Sequence, residues 1–369
     1  MIDKQIYQIG LTMINGVGYI LARHLLDVLG DEEAVFTERP QALIKVPGIS
    51  SSIVHEIRRA EVLQRAEKEW DFIQRRGISL FFIKESNYPE RLRECHDAPV
   101  LFYFKGNTNL NASRVISVVG TRRASAYGQE LTADLLRDLS SLFPDILVVS
   151  GLAYGIDICA HRNALRCQMP TVGVLAHGLD RIYPSAHRST AVEMLDRGGL
   201  LTDYPSGTNP DRSNFVRRNR LVAGLSDATI VVESAEKGGS LITADLAFSY
   251  ARDVYAFPGR TIDKNSLGCN QLIRQNKAGL ILSANDLVEA LGWNVDEKKK
   301  EQSTQTQIIF PENEEEQRIL LTMGRQGEMH VNELAVALDM PVQQLLSLLF
   351  ELELDGKIKA LPGNIYKRT

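Results

Sequence analysis

The feature that most constrains the fold of this chain is a repeated order of short apolar runs, glycine-containing loops and amphipathic stretches between Gly77 and about Val295. The apolar runs are rich in β-branched and aromatic residues, and the stretches between them have helical periodicity. This alternation is typical of βαβ units and predicts an α/β domain with a mostly parallel sheet. The predicted strands are Ile78–Ile83, Val100–Phe104, Val115–Val119, Ile146–Val149, Val172–Leu175, Ala228–Val232 and Val254–Ala256.

The segment before this α/β domain, residues 1–76, predicts a small helical domain. Its apolar residues recur at helical spacing, with breaks only at glycine-containing turns. Two of the breaks, Asn15–Gly18 and Val46–Ile49, look like helix-hairpin-helix turns, whose exposed N–H groups can hold a phosphate. Tight turns that serve only packing are the alternative interpretation.

The segment after it has the order of elements of a winged helix. Residues 296–312 are mostly polar, which predicts a flexible linker. Three helices followed by a hairpin are predicted for residues 313–369. The helices run through Ile319–Leu321, Val331–Leu338 and Val342–Leu354, and the hairpin extends from Gly356 to Tyr366.

The third helix of this C-terminal domain is predicted to be a poor reader of DNA. It contains no Lys or Arg and carries Glu351 and Glu353, which the phosphates beside a major groove would repel. We therefore expect the domain to contact protein, either its own α/β domain or a partner. Its leucines recur at helical spacing and are expected in the small core, namely Leu345, Leu348, Leu349 and Leu352.

Charge, hydropathy and cysteine spacing limit the kinds of ligand and cellular location that we expect for this chain. The 42 Lys and Arg residues against 46 Asp and Glu residues give a net charge of −4, so any polyanion site must be local. No apolar run approaches the ~20 residues of a membrane span and no signal-peptide pattern follows Met1, so we expect a cytoplasmic protein without membrane contact. The four cysteines are widely spaced, which predicts neither a zinc site nor a redox pair.

Three loops of the α/β domain have features of anion sites. Each follows a predicted strand and opens a predicted helix, where a glycine lets an anion approach backbone N–H groups. Because the carboxyl ends of parallel strands share one edge of a sheet, the loops are expected to lie together and to span about 10–20 Å. An extended polyphosphate chain fits that span better than one pyrophosphate does. The loops are Val118–Arg123, Val149–Asp157 and Glu233–Thr243.

Arginines and one phenylalanine in the segment Arg212–Arg220 favour single-stranded nucleic acid. On a helix Arg217 and Arg220 are neighbours at positions i and i+3, and Phe215 lies beside them. Arginine neutralises phosphate, and an aromatic ring stacks on an unpaired base with a contribution of ~1–3 kcal/mol. A solvated helix face with Phe215 in the core is the alternative interpretation.

The sequence offers little for catalysis or for a cofactor. Asp157 lies four residues before His161 on a predicted helix, and this pair either includes a catalytic base or, as is more common, ties the helix to its neighbour. No nucleophile with an adjacent base and no carboxylate pair with metal-ligand spacing is visible, so no metal is expected. Neither a complete G-x-G-x-x-G after a strand nor a G-x-x-x-x-G-K-[ST] occurs, so no nucleotide cofactor is expected.

Taken together, these motifs resemble the DNA-processing protein A (DprA/Smf) family. The resemblance is close from Tyr88 to about Gly279, and the segments on either side match the layout of that family less specifically. So many spaced matches make coincidence improbable. The matching residues are Tyr88-Pro89, Val119–Arg122, Ser150–Ala153, Gly155–Asp157, Ala160-His161, Gly178–Asp180, Tyr183-Pro184, Phe215, Arg218–Leu221, Gly239–Leu241, Thr243-Ala244 and Phe257–Gly259.

The resemblance implies a Rossmann-like core with an N-terminal SAM/helix-hairpin-helix-like domain and a C-terminal winged helix. It implies a homodimer that is not an enzyme, that holds single-stranded DNA and that helps load the RecA recombinase during natural transformation. The resemblance implies that residues at the matching positions of this chain contact phosphates, and that the ring of Phe215 stacks on a base. The implied contact residues are Gly120, Thr121, Arg122, Gly151, Arg212, Asn219, Arg220, Gly239 and Ser240.

An enzyme of a different class is the alternative. The loop Gly238–Ser240 is also similar to the P-G-G-x-G-T loop of nucleoside monophosphate phosphoribohydrolases, which cleave an N-glycosidic bond with Arg and Glu. No proline precedes the glycine pair here, and the arginines around Phe215 have no purpose for a mononucleotide. Glu233 would be the carboxylate to test for this alternative. A purely structural dimer scaffold is a third possibility.

Overall fold

The computed structural model describes residues 2–293, 314–323, 328–354, 357–361 and 363–368. The chain divides into two compact units, residues 1–295 and residues 296–369. The predicted linker, residues 296–312, lies outside the described residues.

Within the described residues 2–76 the chain forms six helices, as the helical periodicity predicts. They are α1 (Lys4–Met13), α2 (Tyr19–Leu29), α3 (Glu32–Thr37), α4 (Pro40–Leu43), α5 (Ser51–Ile57) and α6 (Ala60–Arg76). The apolar faces of α1 and α6 pack on each other, with Ile9 and Ile73 buried. Gly16 and Gly48, in the two predicted helix-hairpin-helix turns, have φ of +83° and +87°, a conformation that glycine adopts without strain.

A nine-stranded sheet forms the rest of this unit in the described residues. Its strands are β1 (Ser79–Phe82), β2 (Leu101–Gly106), β3 (Val115–Val119), β4 (Leu147–Ser150), β5 (Thr171–Val174), β6 (Gly198–Thr202), β7 (Ala228–Val231), β8 (Asp253–Ala256) and β9 (Gly279–Leu280). Their spatial order is β1-β2-β6-β5-β4-β3-β7-β8-β9. Neighbours from β6 to β9 in this order pair in parallel. β1 and β2 extend one edge in antiparallel register, with Tyr103 opposite Thr202.

Helices connect the strands, and side chains from both faces of the sheet enter apolar cores. Along β3, Val115 and Val119 belong to one core cluster and Ile116 and Val118 to another, because successive side chains of a strand point to opposite faces. The first cluster continues into the N-terminal helices, which therefore share a core with the sheet. The helices are α7 (Glu90–Arg93), α8 (Ala126–Leu142), α9 (Ile156–Arg166), α10 (Arg188–Glu193), α11 (Arg212–Gly224), α12 (Gly239–Ser249), α13 (Leu267–Arg274) and α14 (Ala284–Ala290).

The strand order reverses between β3 and β7. The chain runs outward from β3 through β4, β5 and β6, and then crosses to the other side of β3 to form β7, β8 and β9. This is the doubly wound order of a Rossmann-like sheet, which confirms the predicted fold class. In such sheets ligands bind beyond the carboxyl ends of the strands at the point of reversal.

All seven predicted strands are confirmed, with ends that differ by at most two residues. β6 and β9 were not predicted. β6 begins with Gly198-Gly199, and glycine is depleted in strands. The space requires it here, since a Cβ on Gly198 would lie 1.9 Å from the carbonyl oxygen of Thr171 on the neighbouring strand. β9 has only two residues, too few for a visible alternation.

The second unit has the element order predicted for a winged helix. Its helices are α15 (Glu314–Met323), α16 (Val331–Leu338) and α17 (Val342–Leu354), and its strands β10 (Glu328–His330), β11 (Ile358–Leu361) and β12 (Ile365–Arg368) pair in the order β10-β12-β11. The four leucines predicted for the core of this unit are buried. β10 was not predicted. No single helix in the described ranges is long and apolar enough to cross a membrane, and α16 with α17 meets the length and composition needed only as a pair bent by 111°.

Candidate functional site

A cleft of about 510 Å³ lies where β3, β4 and β7 end. The three loops predicted as anion sites and the helix α11 form its walls, so the cleft is at the reversal of strand order. The structure brings nine of the ten predicted contact residues to this cleft, namely Gly120, Thr121, Arg122, Gly151, Arg212, Phe215, Asn219, Gly239 and Ser240.

The cleft is positively charged although the whole chain is acidic. Among the residues that line it, four are cationic and one is acidic. The acidic residue, Asp157, is buried. The local excess of positive charge is what a polyanion site needs in a chain with a net charge of −4. The cationic residues are Arg122, Arg212, Arg218 and Lys237.

Phe215 lies in the first turn of α11 and is half-buried. The Cζ atoms of Arg122 and Arg218 are 5.4 and 5.9 Å from the centre of its ring. The ring of Tyr183 is 5.9 Å away at an angle of 54°. Phe215 belongs to none of the core clusters formed by the described residues, so the interpretation as a core ring does not fit. A partly open ring between cations suits stacking on an unpaired base.

Arg218 forms the floor of the cleft beneath Gly151. Its buried guanidinium donates hydrogen bonds to the backbone oxygens of Gly151, at 2.6 Å, and of Val174. Burial lowers the pKa of Arg218 to about 10, against the attraction of the Asp157 carboxylate. Burial also raises the pKa of Asp157, and Arg218 opposes this rise. Arg218 therefore stays charged at neutral pH and fixes the ends of β4 and β5.

Packing explains two of the glycines in the cleft but not the third. A Cβ on Gly120 would lie 2.5 Å from the side chain of Ile156, and one on Gly151 would lie 2.5 Å from the guanidinium of Arg218. A Cβ on Gly239 would meet nothing within 4 Å. A methyl group at Gly239 would therefore point into open space.

Backbone N–H groups are free at the start of α12, whereas one such group in each of the first two loops is engaged by the protein. The N–H of Thr121 donates to the carbonyl oxygen of Glu233 at 2.7 Å, and the N–H of Ile156 donates to that of Thr121 at 3.2 Å. α12 starts at Gly239 without a capping side chain, so its first N–H groups lack partners within the helix. The hydroxyl of Ser240 donates to Ser234 Oγ at 2.9 Å and is already occupied. The start of α12 thus offers backbone N–H donors to an anion.

Arg220, the tenth residue that the resemblance implies as a DNA contact, does not line the cleft. Its buried guanidinium pairs with the Asp203 carboxylate and donates to the backbone oxygen of Asp97. Its Cζ atom lies 4.5 Å from the centre of the Tyr19 ring. Two residues along a helix correspond to about 200° of rotation, so Arg220 points away from the side that Arg218 occupies.

Two cationic residues of the cleft were not among the predicted contacts. Arg218 and Lys237 both lie in segments that the sequence singles out, and Arg218 belongs to the arginine cluster of α11. Tyr183, whose ring pairs with Phe215 and is 47% exposed, lies in a motif that the sequence shows without giving it a role. The sequence could have predicted Arg218 as a cleft residue from the cluster of arginines around Phe215. It could have predicted Lys237 from its position in the third of the three loops.

The residues considered for catalysis are engaged elsewhere. His161 Nδ1 lies 2.7 Å from Thr171 Oγ1, whereas Asp157 is beside Arg218, so the predicted Asp157–His161 pair is not formed. The Glu233 carboxylate accepts hydrogen bonds from the backbone and hydroxyl of Ser125, at 2.9 and 2.5 Å, and does not line the cleft. In the part of the chain that the structure describes, no group of three His, Cys, Asp or Glu side chains is placed to hold a metal ion.

Comparisons with known proteins agree along most of the chain. A family model described as DNA recombination-mediator protein A matches residues 79–292, and one described as the DprA winged helix domain matches residues 303–364. The DNA processing protein DprA of Bacillus subtilis is 38% identical over 58% of this chain and 72% of its own length. The X-ray structure of DprA from Streptococcus pneumoniae is similar with a TM-score of 0.62 and 29% identity, over 78% of this chain and 98% of that one. A structure of DNA processing protein A from Helicobacter pylori, described for its single-stranded DNA binding mode, has a TM-score of 0.52 and 30% identity, over 58% of this chain and 95% of that one.

Proposed function

The chain belongs to the DNA recombination-mediator protein A (DprA/Smf) family, and from this premise we propose that its cleft binds single-stranded DNA. The observation that carries the proposal is the composition of the cleft: four cations, one buried carboxylate and a half-buried aromatic ring line it at the reversal of strand order. Cations track a phosphate backbone and a ring stacks on an unpaired base, which is the combination that single-strand binding uses.

In this proposal phosphates and bases contact different parts of the cleft. The exposed side chains of Arg122, Arg212 and Lys237 neutralise phosphates, and the first N–H groups of α12 donate to one of them. Arg218 adds positive charge from below without reaching the surface. Phe215, with Tyr183 beside it, offers its ring to an unpaired base. None of these contacts reads a base edge, so we expect binding with little sequence preference.

The wider biological role in this proposal follows from the family. A recombination mediator acts on single strands and passes them to a recombinase, so we propose that this protein loads RecA onto DNA in natural transformation. We further propose that it acts as a homodimer in the cytoplasm, and that residues 1–76, 77–295 and 313–369 are its domains, with 296–312 as the linker. Sedimentation of the full chain with and without DNA, and RecA filament assembly on pre-bound DNA, test the dimer and the loading role.

We propose that the protein is a binding protein and not an enzyme. The alternative, cleavage of a nucleoside monophosphate, requires a free carboxylate near the sugar, whereas the Glu233 carboxylate is held by Ser125. Incubation with AMP and detection of free adenine distinguish the two. Adenine release that is abolished by Glu233→Ala would favour the enzyme.

The test of single-strand binding compares Arg122→Ala with Arg137→Ala. Arg122 lines the cleft, whereas Arg137 is an exposed arginine on α8 that lies outside it and pairs with Asp134. Fluorescence anisotropy with oligo(dT) over a salt series is expected to show weaker binding and a salt slope smaller by ~0.7 for Arg122→Ala only. Gly239→Ala should also weaken binding without loss of stability, since its methyl group points into open space. Wild-type affinity and slope for Arg122→Ala would contradict the proposal.

A further inference from the structure

We propose that a second groove, beside the cleft, holds bases of the same DNA strand where the strand leaves the cleft. This inference rests on the proposed function. The second groove has a volume of about 1090 Å³, and the start of α2 and the turn Pro47-Gly48 form one side of it, with α11 and α12 on the other. Pockets of about 300–1,000 Å³ enclose drug-sized molecules, so the second groove has room for more than one nucleobase.

The cleft and the second groove are neighbours that share two lining residues. Val216 on α11 and Ile242 on α12 line both of them, and these two side chains are 47% and 39% exposed. The boundary between the two concave surfaces is therefore formed by side chains that are open to solvent and to a ligand. Arg217, next to Val216, is exposed on the side of the second groove. Among the described residues Arg217 has no carboxylate within 4.0 Å, so it is available to a phosphate at the crossing.

Tyr19 offers a stacking surface in the second groove. Its side chain is 37% exposed, and Arg220 lies against its ring at 4.5 Å from the ring centre. Arg220 is itself held by the Asp203 carboxylate and by the backbone oxygen of Asp97. A cation over an aromatic ring within about 6 Å attracts it and fixes its orientation. The buried arginine that the cleft does not use is therefore a positioning residue for an exposed ring.

The two carboxylates that line the second groove, Asp97 and Asp203, are balanced in charge by two arginines in the same lining, Arg217 and Arg220. Asp203 is paired with Arg220, and Asp97 accepts a hydrogen bond from the hydroxyl of Tyr250 at 2.6 Å. The remaining lining is largely apolar, with Ile20, Pro99 and Leu246 among its side chains. An apolar lining with an open ring suits bases rather than phosphates. Because the groove shares lining residues with the cleft, we assign it to the strand proposed to bind there.

The experiment measures how affinity depends on oligonucleotide length. Labelled oligo(dT) of increasing length is titrated with the full-length wild type, Tyr19→Ala and Tyr19→Phe, and with Phe248→Ala as the control. Phe248 is also an exposed aromatic residue on the same unit, 55% exposed, and it lines neither the cleft nor the second groove. We expect Tyr19→Ala to bind the shortest detectable oligonucleotide like the wild type and to lose about fivefold or more on the longest.

The controls separate stacking from folding. Tyr19→Phe keeps the ring and should retain the affinity for long oligonucleotides, and Phe248→Ala should behave like the wild type at every length. Cross-linking of oligonucleotides that carry 5-iodouracil should join a base to the peptide that contains Tyr19. Denaturant unfolding of Tyr19→Ala shows whether the variant is folded when its affinity is measured.

Several outcomes would overturn this inference without overturning the proposed function. One is a Tyr19→Ala affinity equal to that of the wild type at all lengths while Arg122→Ala weakens binding. Another is an equal loss for Tyr19→Ala at every length, which would place Tyr19 within the cleft's own contacts. A change in the oligomeric state of the DNA-free protein when Tyr19 is replaced by Ala would assign the groove to a protein interface instead. If the wild type bound no oligonucleotide of any length, both proposals would fail together.

Discussion

Arg217, Arg218 and Arg220 lie within four residues on α11, and each has a different environment. Arg218 is buried under the cleft, Arg220 is buried under the second groove, and Arg217 is exposed beside the second groove. Consecutive positions on a helix are separated by about 100°, so a run of arginines cannot face one ligand. Substitutions of these three arginines should therefore affect different properties of the protein, and not one property to different extents.

Arg220→Ala is expected to destabilise the fold. Its removal leaves the Asp203 carboxylate, which is 13% exposed, without its cation, and loss of one partner of a buried ion pair costs about 3–5 kcal/mol. The free energy of unfolding in urea measures this. The double variant Arg220→Met with Asp203→Leu should recover most of the loss, because replacement of both partners by apolar residues is often neutral. An unchanged unfolding midpoint for Arg220→Ala would show that the pair is not formed in solution.

Phe215→Ala is expected to weaken DNA binding with little effect on stability. The ring is half-buried and outside the core clusters of the described residues, so its loss leaves no internal cavity. Loss of a stacked base should cost ~1–3 kcal/mol of binding free energy. Binding curves and denaturant melts on the same sample decide between the two interpretations, with Phe215→Tyr as the variant that keeps the ring. A loss of ~3–5 kcal/mol in stability would place Phe215 in the core.

At the residue scale the sequence predicts which residues form the cleft better than it predicts the directions in which their side chains point. Gly120, Gly151 and Gly239 could be placed together because each follows a strand whose carboxyl end lies at the same sheet edge. Arg220 could not be excluded, because its partner Asp203 is 17 residues away in sequence and lies in the loop after β6, a strand that was not predicted. Long-range partners of this kind are invisible to spacing arguments.

At the scale of elements, α9 depends on a neutral histidine to contact the sheet. The hydroxyl of Thr171 donates to the backbone oxygen of Val148 at 2.9 Å, so its oxygen accepts the Nδ1 proton of His161. His161 Nε2 is buried without a hydrogen-bond partner among the described residues. Burial lowers the pKa of His161 to about 3. The neutral form is therefore required where α9 packs on β4 and β5.

This lowered pKa predicts loss of stability in acid. The unfolded chain takes up the proton near the ordinary histidine pKa of about 6.5, whereas the folded chain resists it down to about 3. Because the unfolded state binds more protons in this window, the free energy of unfolding falls as the pH decreases through it, by up to ~1.4 kcal/mol per pH unit. Urea unfolding between pH 6.5 and 4.5 should give a shallower dependence for His161→Gln. Parallel curves for the wild type and His161→Gln would contradict this assignment.

The elements themselves were mostly predictable from local pattern. α16 and α17 have the predicted ends, and β3 spans the predicted residues, because periodicity and turn residues agree there. β10 was missed since three residues show no alternation. The second groove could not be predicted at all from the sequence. Its lining combines the turn Pro47-Gly48 with residues of α11, which follow this turn by more than 160 residues in the sequence. The sequence predicts the two glycine turns, but the surface that they face can be identified only from the folded structure.

At the scale of the whole molecule, the two compact units differ in the surfaces that they offer to DNA. The first unit contains the cleft, with its four cations. In the second unit, α17 exposes an apolar row at positions i, i+4 and i+8, formed by Val342, Leu346 and Phe350. Glu351 and Glu353, also exposed, lie on the same helix. An apolar and acidic helix surface favours contact with protein over contact with phosphates.

Truncation before Asn313 is therefore expected to leave single-strand affinity within roughly threefold of the full chain, ~0.7 kcal/mol. If α17 read a groove, its removal would instead cost several kcal/mol, since specific DNA-binding modules contribute on that scale. Anisotropy titrations of both proteins on single-stranded and duplex oligonucleotides measure the difference, and thermal melts confirm that residues 1–312 remain folded. Full-length Phe350→Ala is the matched variant, because it removes an exposed apolar side chain of the second unit and leaves the sequence of the first unit unchanged. A tenfold loss on either DNA after truncation would assign DNA contacts to the winged helix, whereas unchanged DNA affinity with altered protein association would assign α17 to a protein partner.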